Sequence, residues 1–97
     1  MRFEWNEKKN TVNLHKHGVD FADAWELFAA PMLVKPDHRK NYGERRYIGL
    51  GYIRERIMVM VYTERADDTI RVISLRKANR REQARFEKTI EDKLGTG

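Results

Sequence analysis

The chain has no cysteine, only two prolines, and no apolar stretch long enough to cross a bilayer. Without thiols there can be no disulfide, thiolate nucleophile or cysteine-ligated zinc or iron-sulfur site, so any catalysis must rest on nitrogen and oxygen groups. The longest apolar run, IMVMVY from Ile57 to Tyr62, falls far short of the roughly 20 residues of a membrane helix. The first residues, MRFEWNEKK, lack the apolar core of a secretory signal. A cytoplasmic protein with no membrane partner is expected. Ninety-seven residues supply one modest core and too little apolar surface for two, which predicts a single domain over residues 1–97. Internal repeats, low-complexity linkers and a Walker-type glycine loop are also missing.

What the chain does have is positive charge, a formal net +5. Lys and Arg outnumber Asp and Glu by seven to six over residues 1–40 and by thirteen to nine over residues 41–97. Such an excess suits a polyanionic partner, because each phosphate neutralised releases a counterion, although solubility alone also explains many basic domains.

Punctuation and periodicity divide the chain. RFEW, residues 2–5, alternates polar and bulky and reads as a short strand; Asn6 then caps a helix to about His17, ended by Gly18. Asp20 caps a second helix whose apolar stripe is Phe21, Ala24, Trp25 and Phe28, with Val19 and Ala24 as a staple, and which stops at Pro31. MLVK, residues 32–35, is a strand bounded by Pro36, which suits an edge; DHRKNYGE is a loop. Three β-rich runs follow, from Arg46, Ile57 and Thr69, joined by links short enough for hairpins and so forming an antiparallel meander. The middle run is apolar on both faces at Met58, Val59, Met60 and Val61, as in a strand covered on both sides. Gly49 and Gly51 mark a bend or bulge. Asn79 and Glu82 form a capping box before a last helix that docks through Phe86, Ile90 and Leu94. The expectation is an α+β domain: two helices first, an antiparallel sheet of about four strands or slightly more, and a C-terminal helix.

Two groups could carry chemistry. His15, Lys16 and His17 crowd one helix end, where cations complement the macrodipole without any further role. His15 and His17 lie two apart and point in different directions, so they cannot share a metal, and no metal site is expected. The second group is the basic series Arg45, Arg46, Arg65, Arg71, Arg76, Lys77, Arg80 and Arg81, which antiparallel strands can bring side by side. Strict alternation would put Arg71, Ile73, Leu75 and Lys77 on one face and Ile70, Val72, Ser74 and Arg76 on the other. Either these cations converge on a phosphate, or they form a solvated rim paired with Glu44, Glu55, Glu64 and Asp67. Tyr42, Tyr47, Tyr52 and Tyr62 could stack bases or pack half-buried. RNA cleavage without a metal needs a base for the 2'-hydroxyl, cations for the phosphate and an acid for the leaving oxygen, and this chain holds groups of each kind.

In order along the chain, FEW, NLHKHGVDFADAWELF, ERRYIGLG, VMVYTER and IRVISLRKANRRE resemble the BrnT family of bacterial toxins. That resemblance implies a RelE-like fold, in which two N-terminal helices pack against a curved antiparallel sheet, a ribonuclease that arrests growth, and a BrnA-type antitoxin that covers the toxin in a hetero-oligomer and alone carries the DNA-binding module for their operon. No cofactor is expected. Position by position, it implies His17, Arg46, Glu64, Arg65 and Arg76 as catalytic residues; Arg45, Lys77, Arg80 and Arg81 join them as RNA contacts. Family members often carry a tyrosine shortly after RRE, where this chain has Phe86, expected to be core. In the resulting mechanism Arg46, Arg65 and Arg76 surround one phosphodiester while His17 or Glu64 moves protons. The alternative is a non-catalytic module whose basic face holds nucleic acid or an acidic segment of a partner protein.

Overall fold

Capping and turn residues set the element ends in the computed structural model, which describes residues 1–94. β1 spans Arg2–Trp5. The Asn6 side chain then accepts from the Lys9 N–H to start α1 (Glu7–His17), which Gly18 ends at φ 71°. Asp20 accepts from Ala22 N–H and begins a 3-10 turn, Phe21–Asp23, followed by the single α-turn α2 (Trp25–Phe28). The strands are β2 (Leu33–Pro36), β3 (Tyr47–Ile53), β4 (Arg56–Arg65) and β5 (Thr69–Lys77), and α3 (Arg80–Leu94) closes the described chain. Among the described residues no helix is long and apolar enough to cross a membrane.

The sheet has five strands in the order β1-β5-β4-β3-β2 and is mixed, because β1 lies parallel to β5 while the other pairs are antiparallel. The antiparallel sheet expected, of about four strands or slightly more, is corrected to a mixed sheet of five by that parallel β1 pairing. Alternation in RFEW marks a strand but cannot say which neighbour takes it; the pairing is made by Phe3 and Trp5 packing into the core and by Glu4 bonding Arg71 across the strands at 2.8 Å. β4 sits in the middle and is buried from Ile57 to Thr63, as its two apolar faces require.

One face carries Met58, Met60, Tyr62, Val72 and Leu75 beneath Phe21, Ala24 and Leu27. The expected second helix is present but bent, a 3-10 turn running into a single α-turn, and its stripe is corrected. A 3-10 turn has about three residues per turn, so Phe21, Ala24 and Leu27 share the buried side, whereas Trp25 is 54% exposed. The opposite face carries Leu50, Ile57 and Val59 beneath Ala78 and Phe86 of the α3 region. Phe86 is fully buried, Ile90 packs against it, and the Leu94 side chain lies outside the described residues.

A bulge sits in β5. Val61 pairs with Ser74 but its neighbour Tyr62 pairs with Val72, leaving Ile73 extra. This overturns the strict alternation: Ile70, Val72, Leu75 and Lys77 share the α1 and α2 side, while Arg71, Ser74 and Arg76 face the α3 side. The glycines expected to mark a bulge pair regularly, Gly49 with Met60 and Gly51 with Met58. They serve close packing instead, since a Cβ on Gly49 would lie 3.0 Å from the Met32 sulfur.

α1 presents asparagines to the body of the protein, not an apolar stripe. β1 pairs with β5 only as far as Val72, and beyond it the buried Asn13 amide accepts from Leu75 N–H at 3.2 Å and donates to Leu75 C=O at 2.7 Å. Asn10 accepts from Phe21 N–H at 2.9 Å and donates to Asp20 at 3.0 Å. Asn13→Ala leaves the two Leu75 groups unpaired and should lower unfolding stability by about 1–3 kcal/mol; a urea midpoint equal to the parent's would show that water replaces the amide.

Candidate functional site

Between β2 and the start of α3 the sheet is left open as a groove of about 370 Å³. Its floor is apolar, formed by Ile48 and Leu50 of β3 with Val59 and Val61 of β4, which alternate onto one side. Its rim holds four cations, Lys35, Arg39, Arg76 and Arg85, and one carboxylate, Glu82. Such a surface suits an anion with a flat apolar part: the cations attract the charge and the floor excludes water beneath it.

Glu82 organises this rim. Its carboxylate accepts from Asn79 N–H at 2.9 Å, while Glu82 N–H donates to the Asn79 side chain at 2.8 Å, which is the expected capping box. The same carboxylate takes two bonds from Arg76, Nη1 at 2.8 Å and Nη2 at 2.9 Å, and Nη1 also donates to Lys77 C=O at 3.2 Å. Guanidinium has five N–H donors. The Nε–H and one Nη2–H of Arg76 are therefore still free for an incoming phosphate, and the side chain is 40% exposed. The Arg76 bonds, helped by Asn79 N–H, hold the Glu82 carboxyl at about 2, so it is a fixed anion and not a proton carrier.

The loop read from sequence as merely polar supplies the next cation. Asp37 is buried and bonded twice by the Arg39 side chain, at 2.8 Å each, and once by Arg39 N–H at 3.1 Å. Hydrogen bonds from Arg39 and Tyr42 hold its carboxyl below the usual range. Arg39 thereby points into the groove beside Arg76, with its remaining donors free. Sequence reasoning missed Lys35, Arg39 and Arg85. The signal for Arg85 was its place one helical turn beyond Glu82; for Arg39, an Asp two residues before it that could form an Asx-type turn.

Arg46, Arg65 and Arg76 do not share a pocket, which corrects the expected three-arginine clamp. Arg46 Nε and Arg65 Nη2 meet instead on the two oxygens of Glu44, at 3.0 and 3.6 Å. Arg76 stands opposite Val59, six positions along β4 from Arg65, roughly 20 Å at the strand rise. Arg46 also lies over the Tyr42 ring at 4.0 Å. Glu64 pairs with Ile70, on the sheet side away from the groove, and lines a separate hollow with Arg45 and Arg65. Lys77 pairs with Met58 and diverges from Arg76, while Arg80 and Arg81 are exposed in the first turn of α3. His17 is half-buried in a shallow depression on α1 that meets the groove at Ser74, which lines both.

The ion pairs also differ from those expected. Glu44 pairs as anticipated, but Arg71 bonds Glu4, and no ion pair of Glu55, Glu64 or Asp67 occurs among the described residues. Tyr62 is buried, and burial, with Glu64 and Tyr47 nearby, pushes its hydroxyl up to about 12. It packs against Phe28 and Tyr47 at 5.4 and 5.6 Å and cannot stack a base.

Because Glu82 stays ionised to about 2 in the folded chain against 4.5 ordinarily, its contribution to stability is complete above pH 4.5 and is lost as pH falls from there toward 2. Glu82→Gln should lower stability at neutral pH by about 1–3 kcal/mol and flatten the acid limb of urea midpoint against pH. A mutant whose acid limb matches the parent's would separate Glu82 from that transition.

None of the curated proteins matches the chain. Among solved structures, the crystal structure of the Brucella abortus ribonuclease toxin BrnT is similar, at 29% identity and a TM-score of 0.64 over 82% of this chain and 99% of that one. The family model described as the ribonuclease toxin BrnT of type II toxin-antitoxin systems matches residues 5–82, from the end of β1 through the Arg76–Glu82 clamp. The chain belongs to the BrnT family of type II toxin-antitoxin ribonuclease toxins.

Proposed function

We propose that residues 1–97 act in the cytoplasm as one metal-independent endoribonuclease domain of RelE-like fold, neutralised by a BrnA-type antitoxin in a hetero-oligomer. In this reading a scissile phosphodiester lies over the apolar floor of the groove; the 2'-hydroxyl gives up its proton and attacks the adjacent phosphorus, the P–O5' bond breaks, and the 5'-oxygen leaves protonated, giving a 2',3'-cyclic phosphate and a 5'-hydroxyl. Arg76 stabilises the charge that builds on the equatorial oxygens through its free Nε–H and Nη2–H, with Arg39 and Arg85 beside it. Glu82 keeps the guanidinium in one orientation, so little reorganisation is needed as charge develops.

His17 serves as the proton carrier in this reading, taking the 2'-hydroxyl proton and returning one to the leaving oxygen, because its depression meets the groove at Ser74. Glu64 faces the other side and is not used at this phosphate. Arg46 and Arg65, with Arg45, take a neighbouring phosphate where the strand passes the end of the sheet, and Lys77, Arg80 and Arg81 add exposed contacts. The observation that carries the proposal is a bidentately anchored arginine with a free second edge, among four cations over an apolar floor, in a chain of a ribonuclease toxin family.

Labelled single-stranded RNA incubated with the pure chain in excess chelator should acquire new ends. Arg76→Ala should cut about 10²–10³ times more slowly, with a melting temperature within a few degrees of the parent's. RNA retained without new ends by the parent would assign the chain to the non-catalytic class, and cleavage by Arg76→Ala at the parental rate would remove Arg76 from the mechanism.

A further inference from the structure

We infer that the outer stripe of α1, built from Lys8, Lys9 and Lys16 next to His17, binds successive phosphates of the RNA strand where it leaves the groove; this rests on the ribonuclease reading above. Residues 8, 9, 12, 13, 16 and 17 recur at fourfold spacing and so fall on one helix face, and together with Ile73 and Ser74 they line a depression of about 400 Å³. Asn13 on that face is tied to Leu75, so the stripe is held against the edge of β5. Ser74 belongs to the depression and to the groove alike, making one continuous path from Arg76 to Lys16.

Six of the twelve arginines are tied to carboxylates: Arg76 to Glu82, Arg39 to Asp37, Arg46 and Arg65 to Glu44, Arg71 to Glu4, and Arg54 to Asp23 and Glu26. Lys8, Lys9 and Lys16 are exposed, and no ion pair of theirs occurs among the described residues. Nor does helix stability explain them all. Lys16 and His17 complement the negative end of the macrodipole, but Lys8 and Lys9 lie in the first turns, where its positive end disfavours cations. A diffuse anion brought to that face removes the cost.

The length fits as well. From Lys8 to Lys16 is roughly 12 Å along the axis at about 1.5 Å per residue, enough to meet more than one phosphate of an extended strand. Val12, 65% exposed midway, gives a sugar or base an apolar surface between the charges.

The triple variant Lys8→Gln, Lys9→Gln, Lys16→Gln tests this, because all three side chains are solvent-facing and Gln keeps the helix. Binding is read with fully 2'-O-methylated RNA, which cannot undergo 2'-hydroxyl attack, as a strand of about 20 nucleotides and one of four. For the long strand, affinity should fall at least tenfold, and the salt slope should drop by about 0.7 for each phosphate released. Four-nucleotide affinity, and the rate of cutting unmodified four-nucleotide RNA, should match the parent. Parental affinity and slope on the long strand overturn the inference while leaving the ribonuclease reading standing. Long-strand binding intact with loss of antitoxin association overturns it too, and gives the stripe to the partner protein. If the parent itself binds neither strand, both readings fall together.

Discussion

One side-chain amide, that of Asn13, stands where a strand would otherwise run along the outer edge of β5. β1 is only four residues long and its ladder with β5 ends at Val72. Past that point the backbone of Leu75 would face either water or an unpaired edge, and Leu75 is itself fully buried. Asn13 satisfies both of its polar groups and reaches Val19 C=O at 3.3 Å as well. A buried donor and acceptor left without partners are costly, so the amide fixes how far along β5 the helix sits. The bulge at Ile73 then turns Ser74 and Arg76 toward the open groove while Leu75 stays in the core. The amide sets where the helix sits against β5, and the bulge beside it sets which side chains reach the groove rim.

The second organising feature is that carboxylates, each serving more than one donor, orient the arginines. Asp37 is buried and receives Arg39 from side chain and backbone. Glu44 joins Arg46 to Arg65, and Glu82 joins Arg76 to a helix start. Pairing of this kind adds little to stability where the side chains are exposed. Its effect is directional, because a guanidinium held by one edge presents the other in a known place. A phosphate arriving at Arg76 or Arg39 meets donors that need not be gathered from a mobile ensemble.

Much of the frame was legible in the residues themselves. Asn6, Gly18, Asp20 and the Asn79–Glu82 box mark the element ends they were expected to mark, because caps are local and depend on few neighbours. The double-sided burial of β4 was equally plain in MVMV. What stayed hidden is what depends on distant partners. The parallel place of β1, the polar docking of α1 through Asn10 and Asn13, and the one-residue slip at Ile73 leave no periodic trace. The slip mattered most for the site: alternation carried across it puts Leu75 with Arg71, whereas the structure puts Arg76 there. The family resemblance named Arg76 together with Arg46 and Arg65, but the strand register sets Arg76 far from the other two. The loop around Asp37 was featureless as composition and became a cation mount only through a buried carboxylate.

Glu82 ties the beginning of α3 to the orientation of Arg76 through the same two oxygen atoms. A substitution that removes this carboxylate therefore loosens the first turn of the helix and the aim of the guanidinium in one stroke, and neither can drift through sequence change at position 82 without the other.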